Sequence, residues 1–315
     1  MIFGMSSRFL TVQDVRKKYG AHEALGGVSF AVAKGELFGL LGPNGAGKST
    51  LLSIIAGLSD ATSGEVQFDG RPLNRSARLM RREIGIGTQD LAVYGELTAR
   101  ENLSFFGKLY GLKGQYLRDR IGVVLESIGL VDRADDRTST FSGGMKRRLN
   151  LGVAIIHEPR LLLLDEPTTG VDPQSRNHIF ERVRQLNSAG LTIIYTSHYM
   201  EEVQTLCPRI GILDHGRVIA CDSRADLLKI LGGTITLTVV KEPSATAERL
   251  AAVPGLCVDS TIGNTITLVG NDVVAALPAV VNALREANVE ITELRTQEPK
   301  LEEVFLHLTK RTLRD

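Results

Sequence analysis

Short apolar runs alternate with helical patterns along the chain up to about Ile219. Leu37–Leu41, Leu161–Leu164 and Thr192–Thr196 are such runs, and each is followed by a polar residue or glycine. Strands buried on both faces of a parallel sheet have this pattern, because helices cover both sides of the sheet. A helical pattern begins near Lys48, soon after the first run. The pattern predicts strand-loop-helix units of an α/β fold.

Other segments alternate polar and apolar side chains, which is typical of half-exposed antiparallel strands. Phe9–Val15 and Val28–Val32 alternate in this way, and Glu65–Phe68 leads into Asp-Gly, a hairpin signal. A long helical pattern from about Leu97 to Val131 is inserted between two sheet strands. Residues 209–220 have the pattern of a hairpin that closes this first domain.

The segment after about residue 222 has a different pattern. From Thr234 onwards the predicted order is β-α-β-β-α-β with a hairpin turn at Gly263-Asn264, the order of a split βαβ, ferredoxin-like α+β domain. We therefore predict two domains, residues 8–222, with a helical insert at about 97–155, and an accessory domain at 234–315. One apolar face of the last helix is formed by Leu301, Val304, Phe305 and Leu308.

Composition narrows the class of protein. The 315 residues include 37 Lys+Arg and 36 Asp+Glu, and a net charge of +1 argues against a basic nucleic-acid surface. No run is apolar and long enough for a membrane-spanning helix, and the first five residues do not resemble a signal peptide. Three widely spaced cysteines exclude a disulfide framework and a cysteine zinc site. We expect a soluble, cytosolic chain.

The segment that follows the first apolar run fits the phosphate-binding pattern G-x-x-x-x-G-K-[ST]. Its glycines let backbone N–H groups surround a phosphate at the start of a helix. Lys48 is placed to reach the β- and γ-phosphates, and the Ser49 hydroxyl is placed to bind Mg²⁺. We therefore expect a nucleotide site formed by Gly42, Pro43, Asn44, Gly45, Ala46, Gly47, Lys48, Ser49 and Thr50.

Two acids follow the second apolar run. Asp165 at a strand end beside the phosphate loop can hold Mg²⁺ through water, and Glu166 can orient or deprotonate the attacking water. The alternative is that Glu166 is only a solvated or helix-capping acid.

A second helix start also suits an anion. Ser142 can cap the helical run Lys146–Ile156, and Gly143 and Gly144 expose N–H groups. Taken alone, such a segment is most often a simple helix cap. The basic residues of this run, Lys146, Arg147 and Arg148, are interpreted as a solvated surface.

From about Leu10 to Ala220 these motifs, in this order, resemble an ABC-transporter ATPase subunit. The resemblance implies a P-loop ABC ATPase domain with a parallel core sheet, an antiparallel β subdomain and a helical insert. It also implies ATP and Mg²⁺ as cofactors. Tyr19 would stack on adenine, Gln89 would sense Mg²⁺ and water, and His198 would be the switch histidine. Ser142, Gly143 and Gly144 would be the signature motif, and Gly170, Val171 and Asp172 the loop that joins two protomers.

Each of these residues also has an ordinary interpretation. A lone tyrosine is usually surface or core, a lone glutamine is usually solvated, and the chain has six histidines. His198 alone ends a buried β run, where it can donate to a γ-phosphate oxygen. The motifs gain their weight from occurring together in the family's order.

Some positions depart from the commoner family pattern. Phe141 and Met145 flank the signature where Leu and Gln are common, and Thr-Gly-Val precedes Asp172 instead of Ser-Ala-Leu. These departures resemble a bacterial exporter subfamily that includes drug-resistance and nodulation-factor exporters. That subfamily often has a C-terminal extension ending in a segment like Glu298–Phe305.

The resemblance implies an Mg-dependent ATPase that drives a separate integral-membrane permease, with a drug, lipid or glycan as exported cargo. It also implies an ATP-bound homodimer, no nucleic-acid partner, and a cytoplasmic, peripheral location at the inner face of the membrane. The permease would dock near Gln89 and the helical insert. The alternatives are a soluble ABC-type ATPase acting on DNA or ribosomes, and a phosphate-loop kinase. The residues considered for the permease contact, or alternatively for core packing, are Tyr94, Phe105, Phe106 and Tyr110.

The accessory domain contains no catalytic constellation. We expect it to be regulatory or to steady the dimer through the apolar face of its last helix. The alternative is that this face only covers its own sheet.

Overall fold

The structure is a computed structural model that describes residues 8–297 and 299–309. Glu298, part of the C-terminal segment singled out in the sequence, lies outside the described residues. The chain divides into two compact units, the first ending at Cys221 and the second beginning at Asp222.

The first unit contains ten strands and seven α-helices among its described residues. In chain order these are β1 (Arg8–Tyr19), β2 (His22–Ala33), β3 (Leu37–Leu41), α1 (Lys48–Ile55), β4 (Ser63–Phe68), β5 (Arg71–Pro72), α2 (Arg78–Arg81), β6 (Ile84–Gly87), α3 (Ala99–Leu109), α4 (Gly114–Ser127), α5 (Gly143–Ile155), β7 (Leu161–Asp165), α6 (Pro173–Ser188), β8 (Thr192–Ser197), α7 (Met200–Leu206), β9 (Arg209–Asp214) and β10 (Arg217–Ser223, which ends just past the unit boundary).

A six-stranded sheet in the order β10-β9-β3-β8-β7-β6 forms the centre of this unit. β3 pairs in parallel with β8 and β9, and β7 pairs in parallel with β6 and β8. Every residue of β3 is buried, as the continuous apolar run predicts. Because parallel strands end at the same edge of the sheet, the loops that follow β3, β8, β7 and β6 meet there. The predicted phosphate loop, His198, Glu166 and Gln89 all follow these strands.

A second sheet, β2-β1-β4-β5, is antiparallel where its strands pair. Its apolar face packs with α1 and the parallel sheet in one core, which includes Phe9, Leu51 and Leu163. The rings of Phe30 and Phe38 stack across the two sheets with centroids 5.1 Å apart. The parallel core sheet and the antiparallel β subdomain are therefore confirmed.

The predicted helical insert, at about 97–155, contains α3, α4 and α5, which contact one another. Thr98 and Glu101 form a capping box at the start of α3. Asn102 is fully buried, accepts from the N–H of Tyr94 and donates to its carbonyl oxygen, at 2.8 and 3.0 Å, so it fixes the loop before the helix. Within residues 8–297 and 299–309, no helix is both long and apolar enough to cross a membrane.

The second unit begins with a short helix and then follows the predicted β-α-β-β-α-β order. Its sheet has the order β12-β13-β11-β14 with antiparallel pairs, and α9 and α10 contribute to the core on one face. This is the ferredoxin-like topology that the sequence predicts. The elements are α8 (Arg224–Lys229), β11 (Gly233–Val239), α9 (Pro243–Leu250), β12 (Leu256–Ile262), β13 (Thr265–Gly270), α10 (Val273–Glu286), β14 (Ile291–Gln297) and α11 (Leu301–Thr309).

The last helix, α11, has the predicted apolar face. Leu301, Val304 and Phe305 on this face are buried, and α11 contacts α8, a helix that the sequence pattern did not reveal. The buried face is therefore not a free surface for a second copy, which argues against its use in steadying a dimer.

Candidate functional site

The loop between β3 and α1 is shaped by glycine at two positions. A Cβ on Gly42 would lie 2.2 Å from the carbonyl oxygen of Leu213, and a Cβ on Gly47 would lie 2.8 Å from that of Ala24. Gly47 also has φ of 105°, which side-chain-bearing residues avoid. The loop therefore requires glycine for close packing and for its turn, while its backbone N–H groups lead into the start of α1.

Lys48 turns back over this loop. Its Nζ donates to the carbonyl oxygens of Gly42 and Pro43 at 2.7 and 3.1 Å, and lies 3.1 Å from Oε1 of Glu166. Nδ1 of His198 lies 2.9 Å from the other carboxylate oxygen of Glu166. Lys48, Glu166 and His198 thus form one cluster, called the catalytic cluster below. Of the four residues predicted to be catalytic, Lys48, Gln89, Glu166 and His198, the structure brings together all but Gln89.

The Glu166 carboxylate is held in its charged form. Burial by itself raises the pKa of Glu166, but His198 and the Lys48 ammonium outweigh it and the pKa lies below its usual 4.5. Both Lys48 and Glu166 are 5% exposed, so their pairing is little screened by solvent. Glu166 also has φ of 46°, an uncommon conformation for a side-chain-bearing residue and one that recurs at functional sites.

Oxygen donors lie next to the catalytic cluster. Oδ1 of Asp165 accepts from the Thr196 hydroxyl at 2.7 Å, and the same hydroxyl accepts from the Glu166 backbone N–H at 3.1 Å. Ser49, in the first turn of α1, and Gln89, in the loop after β6, are both exposed. The part of the chain that the structure describes contains no group of three His, Cys, Asp or Glu residues able to hold a metal ion.

The predicted signature loop, Ser142–Gly144, begins α5. The Ser142 hydroxyl accepts from the Met145 N–H at 3.2 Å and so caps the helix, as predicted. Ser142 and Gly143 are exposed, whereas Gly144 packs so closely that a Cβ there would lie 2.1 Å from Oγ of Ser175. Ser175 in turn hydrogen-bonds Asp172, which caps α6. The signature loop and the loop before Asp172 are thus adjacent.

Two predicted residues lie apart from the catalytic cluster. Tyr19, at the end of β1, is 52% exposed, with the Lys17 ammonium 5.0 Å from its ring centroid. Gln89 is exposed two residues after β6, and its backbone carbonyl oxygen accepts from Arg147. Among the described contacts, neither side chain touches Lys48 or Glu166.

The interpretation of the basic run as a solvated surface is wrong for Arg147 and Arg148. The Arg147 guanidinium joins the carbonyl oxygens of Gln89 and Thr169, the latter at 3.0 Å, and Arg148 donates to those of Ile128 and Gly129. Burial lowers the pKa of both guanidinium groups. The sequence does not reveal these contacts, because the carbonyl oxygens that accept from Arg147 and Arg148 belong to loops distant in sequence.

A buried polar network behind the catalytic cluster was also missed. It is centred on Glu202, which is 2% exposed and accepts from three hydroxyl groups. In the sequence, Glu202 is indistinguishable from the acids that commonly occupy the first turn of a helix.

A phosphate loop on β3, a buried lysine-carboxylate pair and acids at the end of β7 define a P-loop nucleotide hydrolase. Comparison with known proteins refines this class. Residues 25–169 match the family model described as ABC transporter.

Curated relatives match over nearly the whole chain. The linearmycin resistance ATP-binding protein LnrL of Bacillus subtilis is 46% identical over 97% of this chain and 100% of its own length. The daunorubicin resistance ATP-binding protein DrrA3 of Streptomyces coeruleorubidus is 38% identical over 97% of both chains. The Nod factor export ATP-binding protein I of Paraburkholderia xenovorans is 39% identical over 99% of this chain and 100% of its own.

Solved structures agree with the fold of the first unit. cbiO1 from Clostridium perfringens, part of an ABC transporter complex, has a TM-score of 0.66 and 29% identity, covering 70% of this chain and 91% of its own. An ATP-binding cassette solved as a dimer with ADP and Pi has a TM-score of 0.63 and 28% identity, covering 68% and 98%.

The chain therefore belongs to the family of ABC transporter ATP-binding subunits and is an ATPase. The resemblance stated from the motifs, the α/β fold and ATP as ligand are confirmed. None of these relatives supports the alternative of an ATPase acting on DNA or ribosomes.

Proposed function

We propose that this protein is the ATP-hydrolysing subunit of an exporter, and that its permease is a separate integral-membrane chain. The observation that carries the ATPase chemistry is the buried Lys48–Glu166 pair beside the phosphate loop, with the partly exposed His198 on the same carboxylate. Whole-length likeness to proteins named for linearmycin resistance, daunorubicin resistance and Nod factor export supports the exporter assignment. We propose that the cargo is a drug, a lipid or a glycan.

ATP binds along the phosphate loop in this proposal. The backbone from Gly42 to Thr50 surrounds the phosphates, and Lys48 contacts the β- and γ-phosphates. Phosphate oxygens then compete with Glu166 for the Lys48 ammonium. The ring of Tyr19 stacks on adenine in this proposal. Its half-exposed position at the end of β1 leaves a ring face accessible to the base.

The residues present suit Mg²⁺. Ser49, Asp165 and Gln89 offer a hydroxyl, a carboxylate and an amide oxygen, the hard ligands that Mg²⁺ prefers, and phosphates and waters complete its shell. Bound Mg²⁺ supplies positive charge that neutralises the phosphates.

Glu166 and His198 act on hydrolysis. Glu166, kept ionised by its lowered pKa, orients the attacking water and accepts its proton. His198 is the switch residue: its Nδ1 lies 2.9 Å from the Glu166 carboxylate, and its Nε2 donates to a γ-phosphate oxygen.

The ATP-bound form is a homodimer. Ser142, Gly143 and Gly144 of one copy close on the ATP of the other, and Asp172 lies at the junction. The exposure of Ser142, Gly143 and Asp172 supports this arrangement, since helix N-termini bind anions. ATP thus joins two copies, and hydrolysis releases them through charge repulsion.

The permease docks on the helical insert near Gln89. Tyr94 and Phe105 support this, because they are 51% and 39% exposed although their rings contact each other. Tyr110 instead stacks on His157 at 3.7 Å, which is packing within the insert region. Through the permease, the subunit is held at the cytoplasmic face of the membrane.

We further propose residues 8–222 as the ATPase domain, with the insert at about 97–155, and residues 234–315 as the accessory domain. The division of the chain between Cys221 and Asp222 supports the first boundary.

Glu166→Gln tests the proposal, because it keeps the shape of the side chain and removes the base. We expect the variant to bind ATP, to lose hydrolysis, and to elute as a dimer in gel filtration with Mg-ATP but as a monomer without it. A variant that stays at monomer mass with Mg-ATP would contradict the dimer.

Co-purification tests the partner. The protein is expected in membrane fractions together with a multi-span protein, and co-purification with nucleic acid or ribosomes would contradict the exporter assignment.

A further inference from the structure

A buried carboxylate lies directly behind the catalytic cluster. Glu202, on α7, is 2% exposed and accepts from the hydroxyls of Thr168, Tyr195 and Ser197 at 2.8 to 3.0 Å. The Arg176 guanidinium lies 4.0 Å from it. Burying a carboxylate is costly unless donors surround it, and here every contacting hydroxyl is itself buried.

Two of these hydroxyls flank the catalytic residues in sequence. Ser197 precedes His198, and its oxygen also accepts from the N–H of Tyr199 at 2.9 Å, so both neighbours of His198 are held. Thr168 lies two residues after Glu166. Glu202 therefore bonds to a residue near Glu166 in sequence and to a residue next to His198.

The third hydroxyl differs in its position. Tyr195 donates to Glu202 at 3.0 Å and contacts Thr168 at 3.2 Å, but it lies inside β8 and flanks neither catalytic residue. Its pKa is raised well above 10 by burial and by the Glu202 charge. Tyr195 thus belongs to the network from within β8, and its link to the Glu166 segment is the 3.2 Å contact with Thr168.

We propose that Glu202 is a positioning residue for hydrolysis, which fixes the spacing of Glu166 and His198 through Thr168 and Ser197. The proposal rests on the roles assigned above to the catalytic cluster. A misplacement of about 1 Å can cost on the order of 100-fold in rate. The loss of one of these bonds is therefore expected to lower kcat more than it weakens the binding of ATP.

Matched variants of the full-length chain separate positioning from stability. Thr168→Val, Ser197→Ala and Tyr195→Phe each remove one hydroxyl donor from Glu202. We expect Thr168→Val and Ser197→Ala to lower kcat for ATP about tenfold with KM within about twofold. Tyr195→Phe is expected to lower the Tm about as much as Thr168→Val and Ser197→Ala do, while its kcat stays within about twofold of the wild type. Thr168→Ser keeps the hydroxyl and is expected to have a kcat close to that of the wild type.

Equal loss of kcat in all three hydroxyl variants, in step with Tm, would overturn the proposal, as would unchanged kcat in Thr168→Val and Ser197→Ala. Glu166→Gln and His198→Ala serve as references. If these two keep full ATPase activity, the proposed function itself fails. If they lose activity and Ser197→Ala does not, only the positioning role of Glu202 fails.

Discussion

The catalytic cluster and the signature loop are both suited to phosphate, yet they differ in how complete they are. Lys48 and Glu166 are buried and paired within the chain, with contacts near 3 Å. Ser142 and Gly143 are exposed, and the first N–H groups of α5 have no partner within their own helix. In the proposed dimer, the phosphate-loop half of the shared site is complete within one chain, whereas the signature-loop half faces outwards. This difference is what a site shared by two copies requires.

Removing Lys48, the cation of the phosphate-loop half, is expected to have the largest effect on ATP hydrolysis. In Lys48→Ala, both the phosphate contact and one of the two partners of the Glu166 carboxylate are lost, and ATP hydrolysis should fall by at least about 100-fold in a phosphate-release assay. Lys34→Ala, at an exposed turn, is the control and should keep its rate. A Lys48→Ala protein with normal turnover would break the comparison.

The next test places a negative charge in the signature loop, which faces outwards. Gly143→Asp is expected to fold normally, because the atom nearest to a new Cβ is a carbonyl oxygen 3.7 Å away, and to repel the triphosphate of a second copy. Hydrolysis should fall about tenfold or more, with ATP binding to the monomer unchanged.

Mixing the two inactive variants sharpens this test. Random pairing of Lys48→Ala and Gly143→Asp chains makes half of the dimers mixed, and each mixed dimer has one intact shared site. Recovery of about a quarter of the wild-type rate is therefore expected if the sites act independently. No recovery in a mixture that does form dimers would contradict a shared site.

Arg147 lies in the helix that begins at the signature loop and links it to the loops that follow β6 and β7, so its loss is expected to have an intermediate effect. Arg147→Ala frees the carbonyl oxygens of Gln89 and Thr169 and should lower ATPase activity several-fold, on the order of tenfold at most. Arg148→Ala, one residue along the same helix, loses two carbonyl contacts to Ile128 and Gly129 and should reduce mainly stability. Equal ATPase activity per folded molecule in the two variants would contradict the link.

The smallest effect concerns stability alone. Burial lowers the pKa of His157 to about 4 from its usual 6.5, and its Nε2 lies 3.2 Å from the Ile84 carbonyl oxygen. The unfolded chain therefore binds a proton that the folded chain excludes, and stability falls as the pH decreases from 6.5 towards 4.

Urea unfolding at several pH values measures this contribution. His157→Phe is expected to keep the stack on Tyr110 and to flatten the loss of stability over that range. His178→Phe, the same substitution at a half-exposed site, is the matched control. Parallel curves for His157→Phe and the wild type would contradict the assignment.

Local patterns were sufficient to predict most of the elements and the phosphate loop. The buried run at β3 and the glycines at 42 and 47 are dictated by short-range geometry, because close backbone approach and a positive φ each demand glycine. The β-α-β-β-α-β order of the second unit likewise followed from periodicity. The short helix α8 was not predicted, since its six residues carry little periodicity.

The sequence by itself determined the fold class, the nucleotide loop and the identity of the acids, because each is encoded by neighbouring residues. Only the tertiary structure decided that Lys48 and His198 contact the same carboxylate, that Arg147 joins two loops, and that Glu202 lies behind them. These contacts join residues from different loops and strands. Their energies depend on burial and on donors brought together by the parallel sheet, which no local pattern records.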